Sequence, residues 1–174
     1  MTSREPTMPS REILAMQRLQ DSAGRGRLPS VARGCSRWGE HAAGWIVLGL
    51  AGAAVDRSRR PQWLGVTYAS FGAHAAAVVL KRIVRRRRPD SPHVQVLVGT
   101  PSDLSFPSAH AASTTAAAVA LVPLVGAPLA VGAAAVMAVS RVLLGVHYPS
   151  DVAAGVGLGA LAGAAVRRRP AVRA

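Results

Sequence analysis

The chain has 174 residues, half of them apolar but only 4% aromatic, and its net charge of +13 comes from 20 Arg and a single Lys against 8 acids. That length bounds it to one domain, and the lone cysteine, Cys35, excludes an internal disulfide. So large a basic excess narrows the partners to nucleic acid, an anionic membrane surface or a phosphorylated substrate, and the lack of aromatic stacking groups beside the Arg runs argues against nucleic acid.

Residues 1–9 are polar and hold Pro6 and Pro9, which predicts disorder. Residues 1–30 lack an apolar h-region, so no cleavable signal peptide is expected. Ser10 can cap a short helix running to about Leu19, with Ile13, Leu14, Met16 and Leu19 on its apolar side. An N-terminal interfacial helix and a solvated arm both fit that pattern. Residues 21–29, with Gly24 and Gly26, read as a loop. From Ser30 one helix is expected to run through Arg33, Arg37, Trp38 and Glu40 into the apolar residues 41–55, with Trp38 and Trp45 near the lipid headgroups.

A short basic connection, residues 56–61, leads to a second uncharged segment at 62–80, about the length of a bilayer crossing. Residues 81–106 form the one long connection, rich in Pro and charge, and a loop of that size in a small domain is usually functional. Residues 106–140 contain no Asp, Glu, Lys or Arg. At about 1.5 Å per residue they exceed one crossing and must double back, with the turn marked by Pro123, Gly126 and Pro128. A fourth helix is expected over about 127–146 and a fifth over 149–166. In the fifth, Gly155, Gly159 and Gly163 recur every four residues and permit close helix contact, either within the chain or between copies in a homo-oligomer.

The fold class is therefore all-α: an integral membrane bundle of about five transmembrane helices plus the N-terminal helix. Its parts are an arm at 1–30, a membrane domain at 31–167 and a basic tail at 168–174, which is expected to fray. A soluble helical bundle is the alternative.

The polar residues inside this apolar chain carry the chemistry. Arg141, His147 and Asp151 lie where burial of charge costs several kcal/mol unless the groups are paired or used. Pro149 favours a helix start, placing Asp151 in its first turn and His147 just before it, within reach of the carboxylate. Ser108 and His110 open another apolar segment, and a helix N-terminus attracts phosphate. Lys81 and Arg88 close an earlier one. With five crossings, all of these residues fall at one membrane face. Carboxylates near the site, Asp151 with Asp90 and Asp103 in the loop, are too sparse for a two-metal centre, so no metal and no cofactor are expected.

Lys81-x6-Arg88-Pro89, Pro107-Ser108-Ala109-His110 and Ser140-Arg141-x5-His147-x3-Asp151 resemble, in order, the three signature motifs of the type 2 phosphatidic acid phosphatases. One position departs from the pattern: Ala109 replaces the usual Gly, keeping the backbone N–H but crowding the phosphate. The resemblance implies phosphomonoester hydrolysis through a phosphohistidine. It makes His147 the nucleophile, Asp151 its orienting partner and His110 the acid that protonates the leaving alcohol. Lys81, Arg88, Arg141, Ser108 and the Ala109 amide would bind phosphate.

F-P-S-A-H and G-V-H-Y-P-S-D, with the small size and the Ala and Arg richness, are similar to an actinobacterial subgroup of cell-wall arabinan synthesis. That subgroup removes one phosphate from a phosphoribosyl polyprenyl lipid. A polyprenyl pyrophosphate or phosphatidylglycerol phosphate phosphatase is the alternative within the class. Outside the class stands a catalytically silent membrane protein that binds polyprenyl phosphates or scaffolds partner enzymes. The Arg bias between the two faces predicts a cytoplasmic site in the inner membrane. Arg85, Arg86 and Arg87 read as a membrane-surface anchor, and His41, His74 and His93 as structural.

Overall fold

The structure, a computed structural model, describes residues 9–23 and 26–168. The disorder expected of residues 1–8 and the fraying expected beyond Arg168 fall outside that range. The described chain is helical: α1 (Arg11–Ala23), α2 (Leu28–Gly39), α3 (Ala43–Val55), α4 (Arg60–Val84), α5 (Ala109–Val125), α6 (Ala127–Leu143) and α7 (Pro149–Arg167). Short 3-10 turns at Glu40–Ala42 and Arg57–Arg59 join α2 to α3 and α3 to α4. The one extended pairing among the described residues is an isolated bridge between Arg87 and Leu104.

Local chemistry accounts for most boundaries. Ser10 accepts from the Ile13 amide at 3.3 Å and starts α1. Pro61, Pro128 and Pro149 sit in the first turns of α4, α6 and α7, where a missing N–H leaves no bond unmade. Gly126, at φ +86°, ends α5 and reverses the chain into α6.

Helix α5 is the centre. Nearly every residue from Ala109 to Leu121 is buried, and the helix packs on α4, α6 and α7. Ten of its 17 side chains are Ala, Ser or Thr, which lets three neighbours approach one axis. The α7 glycines face it. A Cβ on Gly159 would collide with the Ala112 carbonyl, and one on Gly155 with the Ser108 carbonyl. Internal packing thus uses the spacing that an interface between copies was equally able to use. Gly159→Val is expected to lower stability by about 3 kcal/mol through overpacking against backbone, seen as a lower thermal midpoint in detergent. Gly157→Val points into open space and should leave that midpoint nearly unchanged.

Three expectations fail near the N-terminus. The helix foreseen from Ser30 to Val55 breaks at Glu40–Ala42, where His41 (φ 51°) and Ala42 (φ 59°) both adopt the left-handed conformation. Such residues cost on the order of 1–3 kcal/mol each, and they persist where surrounding structure demands them. Just before the break the chain passes close to α5 and α6, where a Cβ on Gly39 would meet the side chains of His110 and Met137. Trp45 also leaves the headgroup position foreseen for it: it is buried and donates to Thr114 Oγ1 at 2.9 Å. The 21–29 loop is shorter than expected, since α1 extends to Ala23 and α2 starts at Leu28.

By length and composition, two helices suffice to cross a bilayer, Arg57–Val84 and Pro149–Arg167, while α5 and α6 are shorter apolar helices of 17 residues each. The last turns of α4 and α6 and the first turns of α5 and α7 meet at one end of the bundle. There they hold Lys81, Arg141, His110 and Asp151, and the connection after α4 folds across them.

Candidate active site

A cavity of about 690 Å³ opens at that end, lined by Lys81, Arg88, Ala109, His110, Arg141 and His147. Apolar groups from α4 and the long connection, among them Val78, Val79, Val98 and Leu104, also line it. Residues from all three motifs, separated by up to 66 positions, are thus brought together. Of the residues expected to form the site, Asp151 and Ser108 lie behind this surface.

Each cation is fixed by backbone or hydroxyl groups. Lys81 Nζ donates to the carbonyls of Leu104 and Ser105, both at 3.0 Å, which ties the connection to α4. Arg88 donates through Nε to Ser102 O (2.8 Å) and through Nη1 to Val146 O (2.7 Å). Arg141, 2% exposed, donates from Nη1 to Ser36 Oγ at 2.7 Å, while its buried Nε has no partner. Among the described residues, no carboxylate lies within ion-pair range of Lys81, Arg88 or Arg141. Buried positive charge without a counter-ion is strongly unfavourable, so the cavity is built to receive an anion.

His147 follows a tight turn at Gly145 (φ +73°), where a side chain would strike the Gln95 carbonyl. Its ring is 2% exposed. Arg88 Nη1 lies 3.2 Å from its Nε2. A guanidinium can only donate, so Nε2 must offer its lone pair and the proton must sit on Nδ1. Burial, only partly offset by Asp151 and reinforced by the charges of Arg88, Arg141 and Lys81, pushes the pKa of His147 down to about 3. The ring is therefore neutral at physiological pH, with its Nε2 lone pair turned towards Arg88.

Asp151 is fully buried in the first turn of α7. Its Oδ2 accepts from the Tyr148 amide at 2.9 Å and stands 3.7 Å from His147 Nδ1, close enough for ion pairing but too far for a hydrogen bond. His147 Nδ1 is accordingly a buried polar atom without a partner. The Asp151 carbonyl accepts from the Ser108 amide at 2.9 Å, which stitches the start of α7 to the start of α5.

Ser108 is buried as the cap of α5, its Oγ accepting from the Ala111 amide at 3.4 Å. That leaves Ala109 as the residue of this turn that reaches the cavity, beside the first free amides of the helix. His110 Nε2 lies 3.0 Å from the Ser36 carbonyl. A carbonyl only accepts, so Nε2 carries a proton and Nδ1 remains for a substrate.

Sequence reasoning missed several neighbours. Ser36 holds both Arg141 and His110. His41 and His74, read as structural, line the cavity with ring centroids 5.9 Å apart. Arg86, read with Arg85 and Arg87 as a surface anchor, instead turns inward to Asp151. No local signal marks these contacts, which span 74, 105 and 65 positions in the chain.

Comparison with known proteins accords with this arrangement. A family model described as the PAP2 superfamily matches residues 62–173. The chain is 52% identical over 159 residues to a decaprenylphosphoryl-5-phosphoribose phosphatase of Mycobacterium tuberculosis, covering 91% of this chain and 90% of that relative. It is 56% identical over 133 residues to one of the same description from Mycolicibacterium smegmatis, covering 76% and 74%. Among solved structures it resembles the transmembrane PAP2 type phosphatidylglycerolphosphate phosphatase of Bacillus subtilis, with a TM-score of 0.71, 26% identity and coverage of 92% and 88%.

Proposed function

The chain belongs to the PAP2 superfamily, and from that premise we propose that it is a metal-independent lipid phosphate phosphatase working through a phosphohistidine on His147. What supports this is the charge balance of the cavity: three cations without carboxylate partners line it beside a neutral imidazole whose Nε2 lone pair is turned to Arg88. Among the described residues, no group of three or more His, Cys, Asp or Glu is placed to hold a metal.

In this reading a phosphate monoester enters with its oxygens on Lys81, Arg88, Arg141 and the amides at the start of α5, where Ser108 serves as cap and Ala109 as contact. His147 Nε2 attacks phosphorus and the P–O ester bond breaks. His110 Nδ1 takes the proton of the bound phosphate monoanion and passes it to the departing oxygen. The phosphohistidine carries a cationic ring, and Asp151, facing Nδ1, stabilises it. Water then attacks phosphorus with His110 as base, the N–P bond breaks, and inorganic phosphate leaves. Preorganised cations and amides stabilise the transferring group throughout.

The substrate is a lipid. Val47, Leu50, Phe71, Leu129 and Leu161 all point outward from the bundle, which suits contact with acyl chains rather than water. Helices α3 to α7 form five crossings, with α3, the shortest at 13 residues, matched by local thinning of the bilayer. The active end faces the cytoplasm of the plasma membrane, as the Arg bias directs. The curated relatives point to decaprenylphosphoryl-5-phosphoribose, whose terminal phosphate would be removed to leave decaprenylphosphoryl ribose.

The test is phosphate release by purified protein from a panel of lipids in mixed micelles. The phosphoribosyl lipid should be hydrolysed with the highest kcat/KM, by at least about tenfold, which is 1.4 kcal/mol of transition-state preference. Preference for phosphatidylglycerol phosphate, the substrate named for the Bacillus subtilis structure, or for a polyprenyl pyrophosphate would replace this assignment. Lipid binding without any release would point to a scaffold.

A further inference from the structure

Arg86 makes the densest set of polar contacts in the region. Its Nη1 donates to Asp151 Oδ1 at 2.8 Å and to Ser150 Oγ at 2.6 Å, and its Nη2 donates to Glu12 Oε2 at 2.7 Å. The guanidinium carbon stands 4.0 Å from the centre of the Tyr148 ring. Glu12 completes the arrangement by accepting from the Ser150 amide through Oε1 at 2.9 Å. Two carboxylates, one on α1 and one on α7, are thus joined through one fork of donors.

Helix α1 is firmly seated for this. Ile13 and Met16 are buried with Val94 and pack on Val142 and Tyr148. Gln20 donates to the carbonyls of Gln95 (2.7 Å) and Leu143 (2.9 Å) and accepts from the Gln95 amide (2.9 Å). Helix α1 itself precedes the stretch matched by the family model, which begins at residue 62, while the partners it packs on lie within that stretch.

Both oxygens of Asp151 are therefore assigned: Oδ1 to Arg86 and Oδ2 to the Tyr148 amide, with the remaining lone pair of Oδ2 turned towards His147 Nδ1. Removing Arg86 would free Oδ1, leave a buried carboxylate without its charged partner and let it rotate or pair with a cavity cation. Engaged by Arg86, Asp151 does not neutralise Lys81 or Arg88.

We propose that Arg86 and Glu12 form a positioning pair that holds the Asp151 carboxylate against His147, making the N-terminal helix part of the catalytic unit. The inference rests on the phosphohistidine reading above. Neither residue touches the reacting atoms; each acts through Asp151.

The test uses full-length protein in detergent with the lipid hydrolysed best. Arg86→Ala is expected to lower kcat roughly 10- to 100-fold with KM within about twofold, and Glu12→Gln to lower it several-fold. Arg86→Lys should recover part of the loss, since it restores charge but not the fork. The double variant Arg86→Ala with Glu12→Gln should be no slower than Arg86→Ala alone, because the second change removes a support already gone. A kcat unchanged in both single variants overturns the proposal, and so does a double variant whose losses multiply. A loss confined to KM on anionic vesicles also overturns it and restores the surface anchor. Should Arg86→Ala not fold, Glu12→Gln decides alone, since it keeps an acceptor for the Ser150 amide and removes only the charge facing Arg86. Wild-type protein that releases phosphate from no lipid overturns the hydrolase reading and this inference together; active wild-type protein with indifferent variants overturns this inference only.

Discussion

His147→Ala is expected to abolish turnover, with phosphate release falling by about 10⁴-fold or more while the unfolding midpoint in detergent stays close to that of the unaltered protein. The size follows from the role. His147 Nε2 lies beside Arg88 among the phosphate-binding cations, whereas Lys81 donates to two carbonyls, the guanidinium groups have no lone pair to give, and His110 Nδ1 is assigned to proton transfer. Fold retention follows from the position, since His147 sits in the connection after α6 and its ring makes one close polar contact, to Arg88. Rapid quenching after mixing with lipid labelled on phosphorus should trap acid-labile, alkali-stable phosphate on the wild-type chain and none on the variant. Label retained on the variant would remove His147 as the nucleophile.

His110→Ala should give the second-largest loss, roughly 10²- to 10⁴-fold, and its size should depend on the leaving group. An alkoxide needs a proton as the ester bond breaks, whereas p-nitrophenolate does not. Phosphate release from the lipid should therefore fall steeply, and formation of the phosphohistidine from p-nitrophenyl phosphate should fall by much less. With that activated ester the second step becomes limiting, because the base that deprotonates water is gone, and labelled enzyme should accumulate. Equal losses on both substrates would show that His110 binds rather than transfers protons. The geometry favours transfer: Nε2 is committed to the Ser36 carbonyl, which leaves Nδ1 as the atom able to exchange a proton.

How much of this could be read in the chain itself depends on the range of each interaction. Pro149 before Asp151, Ser10 before Ile13, and glycine every fourth residue in α7 act within one or two turns. Their consequences were visible as spacing, and the helices they start or pack stand where the spacing put them. The motif residues were visible as ionisable groups in apolar surroundings, and one cavity now gathers most of them. Their chemical roles are a proposal that the substitutions above address. The break at His41 and Ala42 left no mark, because left-handed backbone at residues other than glycine comes from tertiary packing and not from local preference. Trp45 looked like a headgroup anchor only because Thr114, its hydrogen-bond partner, lies 69 positions away. Arg86 was concealed by its neighbours: in a run of four arginines of which the motif marks Arg88 alone, nothing separates Arg86, which also turns inward, from Arg85 and Arg87, which stay exposed.

The mixed lining of the cavity bears on how the protein could be blocked. Its cations share the space with Val78, Val79, Val98 and Leu104. A tight inhibitor needs a compact, doubly charged tip carrying a greasy stem. A simple oxyanion would exploit half the available surface, and a detergent-like tail without the tip would leave the guanidinium and ammonium groups stripped of water.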